Sequence, residues 1–294
     1  MSFYVPRPGE VLLQDIALYP EGIVLPIDKP YRWTSADVIR KLKWKAIRHF
    51  GKKNLKVGHA GTLDPLATGI LLVCIGDACK KAQQLQDHDK EYIARIRFGA
   101  TTPSYDLEKD VDRRFPYGHI TEEAVRAALP AFLGEQEQVA PLFSAKSVDG
   151  VRAYELARKL YKQAQAGSVI PGSDRESQFD AVALESLQRN RITISDLELL
   201  SFGASSAPVA PQDELSAASS RINVADTSAL GLPEAEVRIA CSKGTYIRAF
   251  ARDLGEALDS GAHLGGLIRS RSGQFGLEDA LSLEQALALF QGNS

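Results

Sequence analysis

The chain has 294 residues, of which 44% are hydrophobic and 24% charged, the balance of a soluble globular protein long enough for one large domain or two ordinary ones. Its formal net charge of −2 supplies no global field for a polyanion, so any such partner must meet a local basic face. Cys74, Cys79 and Cys241 form no CxxC pair, which argues against a zinc site or disulfide framework and reads as free thiols in a reducing compartment. The opening "MSFYVPRPGE" does not resemble a signal peptide, and no apolar run approaches the ~20 residues of a membrane span. The expectation is a cytoplasmic protein.

In chain order, "GIVLPIDKP" (22–30) is a short apolar run stopped by a turn signal and predicts a strand. "TSADVIRKLKWKAIRHF" (34–50) predicts a helix. Thr34 and Asp37 make a capping-box pattern, and Leu42, Ala46 and Phe50 recur at core spacing. Arg40, Lys41, Lys43, Lys45 and Arg48 populate the other face, followed by Lys52, Lys53 and Lys56, and no acid falls within 38–63. Solvated faces usually interleave both signs, so this one predicts a phosphate-contacting surface. Next comes "VGHAGTLDPLATG" (57–69). Gly58, Gly61 and Gly69 permit positive φ, and Pro65 holds Asp64 extended. Neither a phosphate-loop nor a dinucleotide-loop consensus is present. On these residues alone, Asp64 is either a structural Asp-Pro turn or a carboxylate presented for chemistry.

"GILLVCIG" (69–76) fits a buried strand or the start of a helix. "EYIARIRFG" (91–99) alternates and predicts a strand with Arg95 and Arg97 on a polar face. "TEEAVRAALPAFLG" (121–134) predicts a helix capped by Thr121 and bent or ended by Pro130. "RAYELARKLYKQAQAG" (152–167) predicts another, while 167–179 and 203–220 have the composition of inserted surface loops. Strands follow at 191–200 and 235–242, then a helix over 244–261 with Ile247, Phe250, Leu254 and Leu258 as its core stripe. Arg248, in the first turns of that helix, suits a two-pronged pair with a carboxylate. A last short helix is expected over 282–292, with Ser282 and Gln285 as its capping box. Strands and helices mix without a βαβ rhythm, which predicts an α+β domain on a largely antiparallel sheet.

"IDKP", "GHAGTLDPLATG", "KEY", "SAK…G…YE.AR" and "SKGTYIR" occur in this order over roughly residues 20–275, and together they closely resemble the bacterial TruB family of tRNA pseudouridine synthases. The resemblance implies a pseudouridine synthase fold, with a mixed, mostly antiparallel sheet flanked by helices and loops. It implies a catalytic domain at 20–275 and a short helical tail at 276–294, where many relatives carry a PUA domain. The implied activity is conversion of uridine 55 in the tRNA T loop to pseudouridine, by base flipping, cleavage of the glycosidic bond and reattachment through carbon. No cofactor or metal is implied. Asp64 matches the reacting carboxylate, which either assists removal of the C2′ proton or adds to C1′ or the base. Tyr92 matches a ring that stacks on the flipped uracil and is also a candidate acid or base. Arg248 matches the arginine paired with that aspartate, and Asp106 a second acid that holds the arginine. Leu267 matches an apolar residue packing on uracil, and His59 a histidine that fills the space the base vacates.

The implied partner is the T arm of tRNA, met by Lys43, Lys45, Lys52 and Lys53, the 141–160 region and the two inserted loops. A monomer without an obligatory protein partner or membrane is implied. Within "VAPLFSAK" the sequence departs from the family, with Ala140 in place of a proline and Phe143 in place of a tyrosine. The competing readings are a synthase acting on another RNA and an RNA-folding chaperone without essential catalysis. The joint presence of Asp64, Tyr92 and Arg248 disfavours the second.

Overall fold

In the computed structural model, which describes residues 3–141, 147–148, 151–152, 189–205 and 222–290, the first apolar run forms β1 (Ile23–Lys29). α1 (Ser35–Phe50) follows with the expected capping box. Asp37 N donates to Thr34 Oγ1 at 3.0 Å and Thr34 N donates to Asp37 Oδ2 at 3.2 Å, so two helix-end donors are satisfied reciprocally. β2 (Val57–Ala60) and β3 (Ala67–Ile75) flank the Asp-Pro loop, so the ambiguous run at 69–76 is a strand. Then come α2 (Ala82–Asp87), β4 (Lys90–Phe98), β5 (Ala100–Thr101), β6 (Arg113–Arg114), α3 (Glu122–Ala128) and β7 (Gly134–Val139). β8 (Ser147–Val148), β9 (Val151–Arg152), β10 (Arg189–Ala204), β11 (Pro233–Cys241) and α4 (Ile247–Ala257) continue the chain. β12 (Ala262–Ser272), β13 (Phe275–Gly276) and α5 (Leu283–Ala288) complete it.

Among the described residues, nine strands make one sheet in the order β1-β3-β12-β4-β11-β10-β7, with β2 added to β3 and β13 to β12. Its pairings are antiparallel except one. β12 runs parallel to β3, setting Leu267 beside Ala67 and Arg269 beside Gly69. On its other edge β12 sets Arg269 beside Tyr92 of β4. This insertion of β12 brings the Asp64 loop and Tyr92 to one end of the sheet. The core gathers Leu42 and Ala46 of α1, Ile96 and Phe98 of β4, and Phe250 and Leu254 of α4. It also takes in Leu12 ahead of β1 and Leu283, Leu289 and Phe290 at the other end, where Leu12 N donates to Leu289 O at 3.0 Å.

Several elements differ from expectation. Arg97 is not on a polar face: it is fully buried, with Nε on Glu234 Oε2 at 2.7 Å and Nη1 on Thr227 Oγ1 at 2.6 Å. Gly265 makes the room, since a Cβ there would lie 2.5 Å from Arg97 Nε. α3 ends at Ala128, just before Pro130 as expected, whereas α4 starts only at Ile247, after the turn containing Gly244. β10 runs through Ala204, into the start of the stretch expected as an inserted loop. The rest of that stretch from 206 to 220, the 167–179 insertion, the 153–167 part of the expected helix and Phe143 lie outside the described residues.

The parallel β3–β12 contact is close because Gly69 has no side chain. It sits at φ 93, and a Cβ there would lie 2.3 Å from Arg269 O. Gly58, one strand away, would meet nothing within 4 Å. Gly69→Ala should therefore cost about 2 kcal/mol or more, and Gly58→Ala about 0.5 kcal/mol or less. Urea denaturation of both variants checks this, and equal losses would refute the close-approach explanation.

Candidate active site

The loop between β2 and β3 carries Asp64, and its backbone is held by side chains from elsewhere in the chain. Ser35, the first residue of α1, accepts from Leu63 N at 3.0 Å and donates to Leu63 O at 3.1 Å. Lys29 Nζ, fully buried at the end of β1, donates to Pro30 O at 2.9 Å, Trp33 O at 2.6 Å and Pro65 O at 3.2 Å. Asp28 Oδ1 accepts from Gly69 N at 3.0 Å. Arg269 of β12 donates to Gly61 O at 3.1 Å and Ile70 O at 2.7 Å, and more loosely to Thr62 O at 3.4 Å. Buried backbone carbonyls need donors, and here cationic side chains provide them. The turn closes on itself through Ala67 N to Asp64 O at 3.1 Å.

What the loop presents is the Asp64 carboxylate, 38% exposed, with Oδ2 accepting from Arg248 Nε at 2.8 Å. Arg248 is 5% exposed, and its Nη1 donates to Ser104 O at 3.0 Å. Behind it, Asp106 Oδ2 lies 3.8 Å from Nε. Asp106 Oδ1 accepts from Ser104 Oγ at 2.6 Å and Glu108 N at 2.9 Å. Burial works against the Arg248 cation, but Asp64, Asp106 and Glu108 more than offset it. Burial raises the carboxyl of Asp106 above its ordinary range, with Arg248 opposing. Tyr105, between Ser104 and Asp106, adopts φ 55, a strained conformation for a side chain of its size.

A cleft of about 390 Å³ opens in front of Asp64, lined by Tyr92 and Leu267 and by the cations Lys90, Arg248 and Arg269. Burial raises the Tyr92 phenol above its ordinary range, which keeps it protonated at neutral pH, and the Arg269 charge opposes the rise. Burial also pulls Lys90 down to about 8 and Lys29 to about 7. Lys90 donates to Gln86 O and His88 O. Among the described residues no group of three or more His, Cys, Asp or Glu converges to hold a metal ion. Tyr92, Leu267 and the Asp64 carboxylate thus border one cleft.

Residues 48–197 match the model of a family described as TruB family pseudouridylate synthase, N-terminal domain. The chain is 46% identical over 266 residues to the tRNA pseudouridine synthase B of Phocaeicola vulgatus, covering 90% of this chain and 92% of that protein. It is 37% identical over 265 residues to the protein of the same name from Deinococcus radiodurans, covering 89% and 77%. The chain belongs to the TruB family of pseudouridylate synthases. Its fold is similar to a chain in a Cbf5–Nop10–Gar1 complex, with TM-score 0.55, 22% identity and coverage of 96% of this chain and 59% of that one. It is also similar to a chain in an H/ACA ribonucleoprotein bound to a substrate RNA containing 2′-deoxyuridine, at TM-score 0.51 and 21% identity, covering 92% and 52%. This chain thus spans little more than half the length of those two, and the likeness is one of fold: the α+β pseudouridine synthase fold expected from the sequence.

For this TruB-family chain, the structure brings Asp64, Tyr92, Arg248 and Leu267 to one cleft and sets Asp106 behind Arg248. His59 is not among the described cleft-lining residues. It is half-buried on β2, where burial and the Arg269 charge hold its imidazole below its ordinary range. Lys43, Lys52 and Lys53 are exposed and Lys45 is partly so, on or just after α1 and outside the cleft. Sequence reasoning missed Lys29, Lys90 and Arg269 as members of the site. The first two stand inside "IDKP" and "KEY", but nothing in those strings says that the lysine is buried.

Arg248→Met would leave Asp106 buried without its cation, at a cost of about 3–5 kcal/mol, and adding Asp106→Asn should restore part of it. The Asp106 carboxyl, already raised, should rise further in the single variant. A carboxyl whose folded pKa exceeds its unfolded value stabilises the fold below the unfolded pKa, and that contribution is lost as pH rises through the folded one. Arg248→Met should therefore lose stability from about pH 4 upward, more steeply than the parent, and the double variant should not. Urea melts across pH check this; parallel curves for the three proteins would refute it.

Proposed function

We propose that the protein converts uridine 55 in the T loop of tRNA to pseudouridine. The observation that carries this reading is the half-exposed Asp64 carboxylate, clamped by buried Arg248 at the mouth of a cleft walled by Tyr92 and Leu267. The relatives of similar length are named tRNA pseudouridine synthase B, which supports tRNA as the substrate. A stacked uridine cannot reach such a cleft from within a folded loop, so the nucleotide is flipped out and its base lies between Tyr92 and Leu267. The bond from N1 to C1′ breaks, the base turns, and a bond from C5 to C1′ forms. N1 takes up a proton and C5 loses one, so the reaction is an isomerisation with no net reactant besides the RNA. Asp64 meets the ribose. Arg248 fixes the carboxylate and Asp106 fixes Arg248. Tyr92 supplies the stacking surface and a protonated hydroxyl. His59, outside the cleft lining, meets the loop the base has left.

The rest of the T arm lies along α1, where Lys43, Lys45, Lys52 and Lys53 meet phosphates. Trp44 stands 56% exposed on the same helix, with the Arg48 guanidinium 4.8 Å from its ring centroid. Residues 20–275 serve as the catalytic unit and 276–294 as a short tail. The protein works as a cytoplasmic monomer without an obligatory protein partner. Among the described residues, no helix is long and apolar enough to cross a membrane.

Asp64→Asn should abolish tritium release from T-loop RNA labelled at uracil C5 while tRNA binding persists, and retained turnover would refute the assignment. Changing Lys43, Lys45 and Lys52 together to Ala should weaken tRNA binding and lower the slope of log affinity against log salt by about 2–3. An unchanged slope in a salt titration would show that the α1 face is only solvated.

A further inference from the structure

Arg269 is a cation placed where a cation is expensive. It is 1% exposed, and among the described residues no carboxylate lies within 4 Å of it. Its guanidinium is instead spent on carbonyls: Nη2 on Gly61 O and Nη1 on Thr62 O before Asp64, and Nε on Ile70 O after it. The two ends of the loop are thus tied to one rigid planar group. Its neighbours in the sheet are Gly69 on one side and Tyr92 on the other. Gly69 is the position where a Cβ would strike the Arg269 backbone, so chain and side chain of this one residue both abut the loop. The guanidinium also borders the cleft, and its charge reaches Tyr92, Lys90, His59 and Lys29.

We propose that Arg269 is a positioning residue for Asp64: its fork spans the two ends of the Gly61–Ile70 loop and fixes where the carboxylate stands relative to Tyr92. The role rests on the activity assigned above, and it needs a fork. A lysine could place a charge at the same depth, but its donors share one nitrogen and lack the planar spread with which Arg269 sets Nη2 on Gly61 O and Nε on Ile70 O. The donors of arginine are held in one plane, pre-set for acceptors on two sides. A reacting group displaced by about 1 Å loses about 100-fold in rate, so a loop freed at one end loses turnover before it loses its fold or its RNA.

Arg269→Lys and Arg269→Gln, each checked by its melting transition, test the proposal. Both should lower the single-turnover rate on tRNA by about 100-fold while the Kd for tRNA stays within about threefold. Both should also speed amide hydrogen exchange at Gly61–Ile70 by about tenfold or more, with α1 and α4 unchanged. The exchange measurement needs no RNA. If the parent protein leaves tRNA uridine unmodified, the activity reading fails and exchange still decides whether Arg269 holds the loop. Arg269→Lys at parental rate would overturn the proposal, because charge alone would suffice. Rate and tRNA affinity falling together would overturn it in favour of a direct RNA contact. Unchanged loop exchange in both variants would overturn it outright.

Discussion

The site depends on a single requirement: a ten-residue stretch, Gly61–Ile70, the loop after β2 and the start of β3, has its backbone held by side chains from elsewhere in the chain. Secondary structure cannot hold it, because the chain there is neither helix nor strand until Ala67. Ser35, Lys29 and Arg269 donate to carbonyls there, from α1, β1 and β12, while Asp28 of β1 accepts from the Gly69 amide. Every one of these bonds fixes backbone and leaves the Asp64 side chain alone. The result is a carboxylate whose position is determined by its surroundings while the group itself stays open to a partner. That is the condition under which a reacting group gains from preorganisation.

Charge is arranged to match. Two carboxylates share Arg248, one exposed and one buried, and the buried one is further held by Ser104 and the amide of Glu108. Lys29, Lys90 and Arg269 surround this group, so the cleft is electropositive although the whole chain is slightly acidic. Burial makes the two lysines weak cations and leaves the arginines as the permanent charges. Local sign, not net charge, is what a phosphate-bearing chain would sense at this surface.

The helices were legible in sequence where they carried caps. Thr34 with Asp37 and Ser282 with Gln285 mark their helix starts correctly, because a capping box is a local interaction. The motifs also named Asp64, Arg248, Asp106, Tyr92 and Leu267 as one group, and these residues do lie at one place. What could not be read was the burial of cations. Arg97 follows the alternation of a polar face, yet it is interior, because Gly265 on a strand about 170 residues later vacates the space. Arg269 stands in "LIRSRS" beside Arg271 with nothing local to distinguish the two. The parallel pairing of β12 with β3 ends at Arg269, and an irregularity in its pairing with β4 separates Arg269, on the loop carbonyls, from the exposed Arg271. His59 illustrates the reverse: proximity in the motif did not place it on the cleft wall.

That parallel pairing also bears on the order of events as the chain is made. β12 lies between β3 and β4 in the sheet although it follows both by well over 150 residues. A nascent chain carrying everything through α4 still has a gap at the centre of its sheet, with neither Arg269 beside the loop nor Leu267 beside Ala67. Without β12 the Asp64 loop lacks the three Arg269 bonds to its backbone. The site is therefore complete only once β12 is in place, and a fragment cut short of β12 would carry the signature loop without the Arg269 bonds that hold it.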